Sequence, residues 1–209
     1  MWTVESAIPG DLKERIARLA ANNAPPFAYM AAFLEIVSRL KTQKRTGWID
    51  RDVPQPESIA DHMYRMGVIS MLSGRSDLDI GRCVQIALVH DIAESIVGDI
   101  TPYADVTKEE KHRRELEAII YIRDLVSNFN KQAGELIYDL WNQYENQTSP
   151  EAVLVKDIDK FELLVQASEY QIMHPKIDLS EFRAVKDLIK TDEVKEWAEG
   201  LESYTNINI

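Results

Sequence analysis

Apolar residues recur at helical spacing along almost the whole of this 209-residue chain. Within residues 28–41, for example, Phe33, Ile36, Val37 and Leu40 lie on one side of a predicted helix. The eight glycines and eight prolines cluster at the breaks between such segments and do not punctuate short strands. The pattern therefore predicts an all-α fold.

Capping residues mark the ends of several predicted helices. Asp77 or Asp79 can cap a helix that ends at Gly98, Thr107 opens a capping box, and Ser149 precedes a proline at the first helical position. The expected helices cover residues 11–21, 28–41, 57–73, 77 or 79 to 97, 107–127, 132–146, 149–173, 179–189 and 192–203.

No repeat, low-complexity segment or domain linker interrupts this pattern. We therefore expect a single domain over residues 1–209, with a core at about residues 28–173 and flanking helices on both sides. A polar loop is expected over residues 42–56 and a loose tail over residues 205–209.

Composition limits the classes of protein to which the chain can belong. It is 45% hydrophobic and 28% charged, as in globular domains, and its apolar runs are shorter than the roughly 18 residues of a membrane span. Its one cysteine, Cys83, excludes an internal disulfide and a cysteine-based zinc site. Since no secretory signal precedes the first helix, we expect an intracellular, cytoplasmic protein. The net charge of −11 disfavours long nucleic acids but is compatible with a small phosphate ester.

The pair His90-Asp91, near the end of an apolar stretch, is the strongest sign of chemistry. His62 lies upstream in another predicted helix, and Asp157 and Asp159 lie downstream. Two imidazoles and two carboxylates from three segments can close around one divalent cation. Such mixed ligation suits manganese, cobalt, iron, zinc or, less well, magnesium, with water in the remaining positions of a hydrolytic site.

Structural explanations exist for each of these residues taken singly. An isolated His-Asp pair is more often a hydrogen-bonded structural pair than a ligand pair. Two further acids favour a metal site. They are Glu94, which would share a helix face with His90, and Asp99. The fourth ligand stays open, because the apolar stripe of its helix lies nearer Asp157 than Asp159, and a metal site need not follow that stripe.

Several longer motifs support a family resemblance. They are Arg45-Thr46-Gly47-Trp48, residues 56–66, residues 87–94, residues 97–102, residues 108–115 and Glu169 within residues 167–170. Together they resemble the HD-domain 5'-deoxynucleotidases over residues 33–170. The resemblance implies a helical HD-domain bundle with a metal site in its core, usually a homodimer. It also implies removal of the 5'-phosphate from deoxyribonucleoside 5'-monophosphates.

The resemblance implies one principal divalent ion, for which manganese, cobalt, magnesium and zinc are the candidates. Carried over position by position, its ligands are His62, His90, Asp91 and Asp159. It thus prefers Asp159 to Asp157, in contrast to the apolar stripe.

Further positions follow from the same resemblance. Glu94 and Asp99 match acidic positions that either bind a second, weaker cation such as magnesium, with help from the Ile100 carbonyl, or contact substrate and catalytic water. Arg45 and Trp48 match positions that orient the phosphate and contact the nucleotide.

Other functions remain as alternatives. A cyclic-nucleotide diesterase or an HD-type di-iron oxygenase would use more histidines, and only His112 and His174 remain here. Triphosphohydrolases usually have a larger domain, and a guanosine-tetraphosphate hydrolase is a further possibility within the class. From a different class, the chain could be a nucleotide-binding or scaffold protein with a residual metal site. The complete set of histidines and acids argues against such a loss of activity.

Overall fold

The computed structural model describes residues 2–101 and 103–207. Every regular element in these residues is a helix, apart from one antiparallel β-bridge between Lys44 and Ser58, so the all-α prediction is confirmed. The α-helices are, in chain order, α1 (Val4–Ala7), α2 (Gly10–Ala21), α3 (Pro26–Ser38), α4 (Thr46–Ile49), α5 (Ile59–Ser70), α6 (Ile80–Ala87), α7 (Glu94–Val97), α8 (Lys108–Ser127), α9 (Lys131–Asn146), α10 (Pro150–Met173) and α11 (Asp192–Ile207). Two 3₁₀-helices span Arg39–Lys41 and Ser180–Leu188.

The described residues form two compact units, and each unit gathers segments that are distant in sequence. The first unit draws on Met1–Thr46, Ser58–Ala60 and Val89–Asn142. The second draws on Gly47–Glu57, Asp61–Leu88 and Gln143–Ile209. The single domain expected over residues 1–209 stays a prediction.

In the first unit, α8 is the central helix. Helices α1, α3 and α7 all contact it, and α2 packs on α3. The buried side of α8 includes Ala118, Ile119 and Ile122, which recur at helical spacing. Because α7 begins at Glu94, its packing against α8 determines where the backbone of this acid lies.

In the second unit, the central helix is α10, which contacts α6, α11 and the second 3₁₀-helix. Leu154, Val155 and Ile158 on α10 are fully buried. Cys83 on α6 is also fully buried. Burial, followed by the negative charges of Glu151 and another nearby acid, raises the pKa of the Cys83 thiol to about 11.

The predicted caps are present at the helix ends. The side chains of Asp79, Thr107 and Ser149 each accept a hydrogen bond from the backbone N–H three residues on. Gly98 ends α7 with a φ of 85°, in the left-handed region that favours glycine. Local signals therefore place these ends correctly.

The prediction of one continuous helix ending at Val97 is wrong in its middle. Helix α6 stops at Ala87, residues 88–93 form successive turns, and α7 begins at Glu94. In these turns, backbone N–H groups donate to carbonyls three residues back; the Glu94 N–H, for example, donates to the Asp91 carbonyl at 3.0 Å. This pattern winds the chain more tightly than an α-helix does. His90 lies in these turns, so His90 and Glu94 do not share the face of one helix.

Expectations about three other segments are also corrected. The loop expected over residues 42–56 contains α4, and residues 179–189 are mainly 3₁₀-helical. Thr205 lies within α11, which continues to Ile207, while residues 208 and 209 lie outside the described residues. None of the helices within residues 2–101 and 103–207 has the length and apolarity needed to span a bilayer.

Candidate metal centre

His90 and Asp91 lie in the turns between α6 and α7. The imidazole of His90 is 2% exposed, and its Nε2 lies 3.1 Å from Asp91 Oδ2. Nη1 of Arg45 approaches the same carboxylate oxygen at 3.4 Å. Asp91 is thus next to a candidate ligand on one side and a fixed positive charge on the other.

Glu94 is a buried acid at the start of α7. It is 4% exposed, and its Oε2 accepts no hydrogen bond from any described residue. Burial, and then the negative charges of Asp91 and Asp99, raise its pKa well above the ordinary value, although Arg45 and Lys111 oppose the shift. A buried carboxylate with an uncommitted oxygen is suited to a cation or a water molecule, and such groups are common at functional sites.

Asp99 is held by the residue that follows Arg45. The backbone N–H of Thr46 donates to Asp99 Oδ2 at 2.6 Å, and Thr46 Oγ1 donates to the Asp99 carbonyl at 2.8 Å. Gly98, with its positive φ, lets the chain turn immediately before this acid. The two bonds therefore tie the backbone next to Arg45 to an acid that is predicted to contact substrate.

Lys111 on α8 supplies another positive charge to the first unit. Its ammonium donates to the Ile100 carbonyl at 2.9 Å, and it lies 3.6 Å from Glu115. Although burial lowers the pKa of Lys111, the charges of Glu115, Glu94 and neighbouring acids raise it overall. The carbonyl predicted to assist a second cation thus already accepts a hydrogen bond from a lysine.

In the second unit, α5 and α10 bring His62 and Asp159 together. His62 is fully buried, and its Nε2 lies 3.3 Å from Asp159 Oδ1. The other carboxylate oxygen of Asp159 accepts a hydrogen bond of 2.6 Å from the Tyr144 hydroxyl. This bond orients the carboxylate relative to the imidazole.

Asp157 is used differently, although it is the more buried of the two acids at 1% exposure. Its Oδ2 accepts hydrogen bonds from the backbone N–H groups of Lys190 and Thr191 at 2.8 and 2.7 Å. Its Oδ1 accepts from Lys160 Nζ at 2.8 Å. Burial raises the pKa of Asp157, but these hydrogen bonds outweigh it, so the pKa lies below the ordinary value. The carboxylate holds the chain just before α11.

Glu162 is a buried acid that the sequence argument missed. Its Oε2 lies 2.5 Å from Nδ1 of His62, and its side chain is fully buried. Its position three residues after Asp159 on α10 is the signal that could have identified it, because residues three apart are neighbours on a helix.

Trp48 lies on α4, away from solvent. The indole is 1% exposed, packs against Tyr170 and Phe182, and donates to Glu57 Oε1 at 2.9 Å. In this arrangement the ring has almost no free surface for a nucleotide, and the predicted contact stays a prediction.

The ligand atoms within each of two groups of side chains are close enough together to hold a metal ion. Glu57, His62 and Glu162 form one group, and His90 and Asp91 belong to the other; within each, the ligand atoms lie within 4.8 Å of one another. Imidazole nitrogen together with carboxylate oxygen is a donor set that divalent transition metals accept. By this donor chemistry, the buried residues fit a divalent metal.

Comparisons with known proteins agree with this chemistry. The family model of the HD domain matches residues 37–198. The 5'-deoxynucleotidase YGK1 of Saccharomyces cerevisiae is 47% identical over 203 residues, which cover 96% of this chain and 92% of the relative. The 5'-deoxynucleotidase HDDC2 of Homo sapiens is 49% identical over 144 residues, covering 69% of each chain. A solved structure of the HD domain-containing protein YGK1 matches with a TM-score of 0.74 and 37% identity, covering 99% of this chain and 98% of that one. The chain therefore belongs to the HD domain family.

Proposed function

We propose that this chain is a metal-dependent 5'-deoxynucleotidase, which hydrolyses deoxyribonucleoside 5'-monophosphates to deoxynucleoside and phosphate. The relatives at 47% and 49% identity are both named 5'-deoxynucleotidases. Within the chain, the observation that carries the proposal is Glu94, a buried carboxylate with an uncommitted oxygen beside Asp91 and Arg45. A carboxylate of this kind is suited to orienting and deprotonating the attacking water of a hydrolase.

One divalent ion is proposed to bind His62, His90, Asp91 and Asp159. The support is that each imidazole has a carboxylate beside its Nε2, at 3.3 Å for His62 and 3.1 Å for His90. Manganese, cobalt, magnesium and zinc are the candidate metals. When bound, the ion supplies positive charge that lowers the pKa of coordinated water and offsets charge on the phosphate.

A second, weaker magnesium site at Glu94, Asp99 and the Ile100 carbonyl stays a prediction. Lys111 favours a simpler alternative, because its ammonium already donates to the Ile100 carbonyl at 2.9 Å. In that alternative, the lysine supplies the positive charge that the second cation would bring.

The substrate phosphate is proposed to bind Arg45. A guanidinium can donate paired hydrogen bonds to two phosphate oxygens. The contact with Asp91 holds the guanidinium of Arg45 among the acids of the first unit. Asp99, oriented by Thr46, is proposed to hold the sugar 3'-hydroxyl or to help protonate the leaving oxygen. Trp48 stays a predicted nucleotide contact whose bulk would disfavour a 2'-hydroxyl.

Glu94 is proposed to accept a proton from the attacking water. The oxygen of that water forms a bond to phosphorus while the bond from phosphorus to the 5'-oxygen breaks. The 5'-oxygen then takes the proton that Glu94 accepted, either directly or with the assistance of Asp99, which yields the deoxynucleoside and phosphate. A raised pKa makes Glu94 a stronger base than an exposed glutamate. Arg45 binds the phosphate oxygens as their charge redistributes.

A homodimer, a cytoplasmic location and the lack of a long nucleic acid partner are also proposed. The net charge of −11 supports the last of these, since long nucleic acids bind basic surfaces.

The test is phosphate release by metal-stripped protein after manganese, cobalt, magnesium or zinc is returned. The substrates are deoxynucleoside 5'-monophosphates, the matching ribonucleotides, a 3'-monophosphate, a cyclic nucleotide and dGTP. His90→Ala removes a proposed ligand, and His112→Ala is the matched control, because His112 is an exposed histidine stacked on Trp141. We expect metal-dependent release from the deoxy 5'-monophosphates, which is lost in His90→Ala and kept in His112→Ala.

Other outcomes would change the proposal in defined ways. Turnover of only the triphosphate or the cyclic ester would replace the substrate and keep the site. Metal binding without turnover of any substrate would indicate a binding protein.

A further inference from the structure

We propose that Glu162 is a positioning residue that fixes the tautomer of His62 and thereby presents Nε2 of this ring to a metal ion. The inference rests on the proposed function, in which His62 is a metal ligand. It concerns only residues on α5 and α10 of the second unit.

Glu162 and Asp159 contact different nitrogens of His62. Glu162 Oε2 is 2.5 Å from Nδ1, whereas Asp159 Oδ1 is 3.3 Å from Nε2. The Glu162–His62 pair is fully buried. Both carboxylates can only accept hydrogen bonds when ionised, but only Glu162 lies within ordinary hydrogen-bond distance of the ring. The proton of the neutral ring therefore belongs on Nδ1, and the lone pair is then on Nε2.

Arg65 holds Glu162 in this orientation. Its Nε and Nη2 lie 2.8 and 2.7 Å from the other carboxylate oxygen, Oε1. The same guanidinium donates to Gln166 Oε1 at 2.7 Å and to Glu169 Oε2 at 2.8 Å. A planar guanidinium with three partners is fixed in space, so Oε2 of Glu162 stays directed at His62.

The group Glu57, His62 and Glu162 could also be considered as a metal site of its own. Its hydrogen bonds argue against this, because Glu57 Oε1 accepts from the Trp48 indole at 2.9 Å. Both oxygens of Glu162 already face donors, one on His62 and the other on Arg65. The arrangement is that of an outer carboxylate that orients a ligating histidine.

Glu162→Gln keeps the size of the side chain but reverses one hydrogen bond. Arg65 has only donors, so the amide oxygen must remain on its side, and the amide NH₂ then faces Nδ1 of His62. Nδ1 must accept, and the proton of the neutral ring moves to Nε2, where it competes with a metal. Loss of such an outer partner lowers metal affinity about 10–100-fold, and we expect a loss in this range.

Glu169→Gln is the matched control. It makes the same chemical change on the same helix against the same guanidinium, but the Glu169 side chain is 48% exposed and its carboxylate bonds Arg65. Calorimetric titration with manganese and hydrolysis of dAMP are measured for the wild type and both variants. We expect weaker manganese binding in Glu162→Gln alone, and its turnover should recover as manganese is raised.

Nitrogen NMR of the metal-free wild type tests the inference without any substitution. At a pH high enough for neutral imidazoles, the His62 proton should be on Nδ1, and in Glu162→Gln it should be on Nε2. The chain has four histidines, so a His62→Gln spectrum assigns the signal.

Each outcome separates the two proposals. A wild-type proton on Nε2, or equal manganese affinity in the Glu162→Gln and Glu169→Gln variants, would overturn the positioning role. Manganese binding with the expected tautomers but no turnover of dAMP would support the positioning role and refute the nucleotidase. A wild type that binds no metal would overturn both.

Discussion

Asp157 and Asp159 are two residues apart on α10, and we expect opposite results when each is changed to asparagine. Asp157 is 1% exposed and accepts hydrogen bonds from the backbone of Lys190 and Thr191 and from the Lys160 ammonium. Asparagine keeps one oxygen for the backbone donors but turns an NH₂ group towards the ammonium. Asp157→Asn should therefore destabilise the fold and leave metal binding intact.

The size of the effect follows from the contacts. A hydrogen bond to a charged group contributes about 1.5–3 kcal/mol. Asp157→Asn loses one such bond to Lys160 and weakens two others, so the free energy of unfolding should fall by about 2–4 kcal/mol. Each kcal/mol corresponds to about 2–4 °C in Tm for a chain of this size, which gives a fall of about 4–16 °C. Asp159→Asn keeps an acceptor for Tyr144 and should cost less than about 1 kcal/mol.

Urea unfolding of metal-free protein and calorimetric metal titration measure the two effects separately. We expect Asp157→Asn to lower the unfolding free energy and keep wild-type metal affinity. We expect Asp159→Asn to change the unfolding free energy little and to weaken metal binding. If Asp157→Asn abolished metal binding with little change in stability, the roles assigned to these two acids would be refuted.

Three further predictions concern charged groups. Glu94→Gln should lower kcat/KM about 10²–10⁴-fold without lowering the Tm of the metal-free protein, because it removes a buried charge near Asp91; most of the wild-type rate would contradict the proposed base. Arg45→Lys should raise KM for dAMP in steady-state kinetics, since an ammonium lacks the paired donors of a guanidinium, and an unchanged KM would count against the phosphate contact. Because the folded-state pKa of Asp157 is lowered, its stabilisation is present above the ordinary carboxyl pKa and is lost as the pH falls through the folded-state value. In acid unfolding below about pH 4, the wild type should thus lose more stability than Asp157→Asn, and parallel curves would refute this linkage.

Helical spacing and caps predict most of the fold because both depend on neighbouring residues. The buried stripes of α8 and α10 repeat at the period of the helix, and Asp79, Thr107 and Ser149 cap the ends where they were expected. These features can be read from a short window of sequence.

The break between α6 and α7 could not be predicted in this way. Residues 88–93 contain neither glycine nor proline, and nothing local indicates that the winding tightens there. The expectation that His90 and Glu94 share one helix face was therefore wrong, although both residues are buried.

The choice between the two acids of α10 shows a different limit. The apolar stripe correctly indicates that Asp157 is the more buried, but a stripe cannot reveal what a buried acid binds. Its partners, Lys190 and Thr191, are 33 and 34 residues away along the chain. Only the family resemblance favoured Asp159, whose carboxylate lies against His62.

Chemical labelling of the one cysteine of the chain can detect local opening of the unmodified protein. Cys83 is fully buried and its thiol has a pKa of about 11, so at neutral pH it is neither accessible nor ionised. Only the thiolate attacks a disulfide reagent, so labelling has to wait until α6 moves away from α10. The labelling rate therefore counts these openings, and its change on adding metal or nucleotide would measure how strongly each ligand suppresses them.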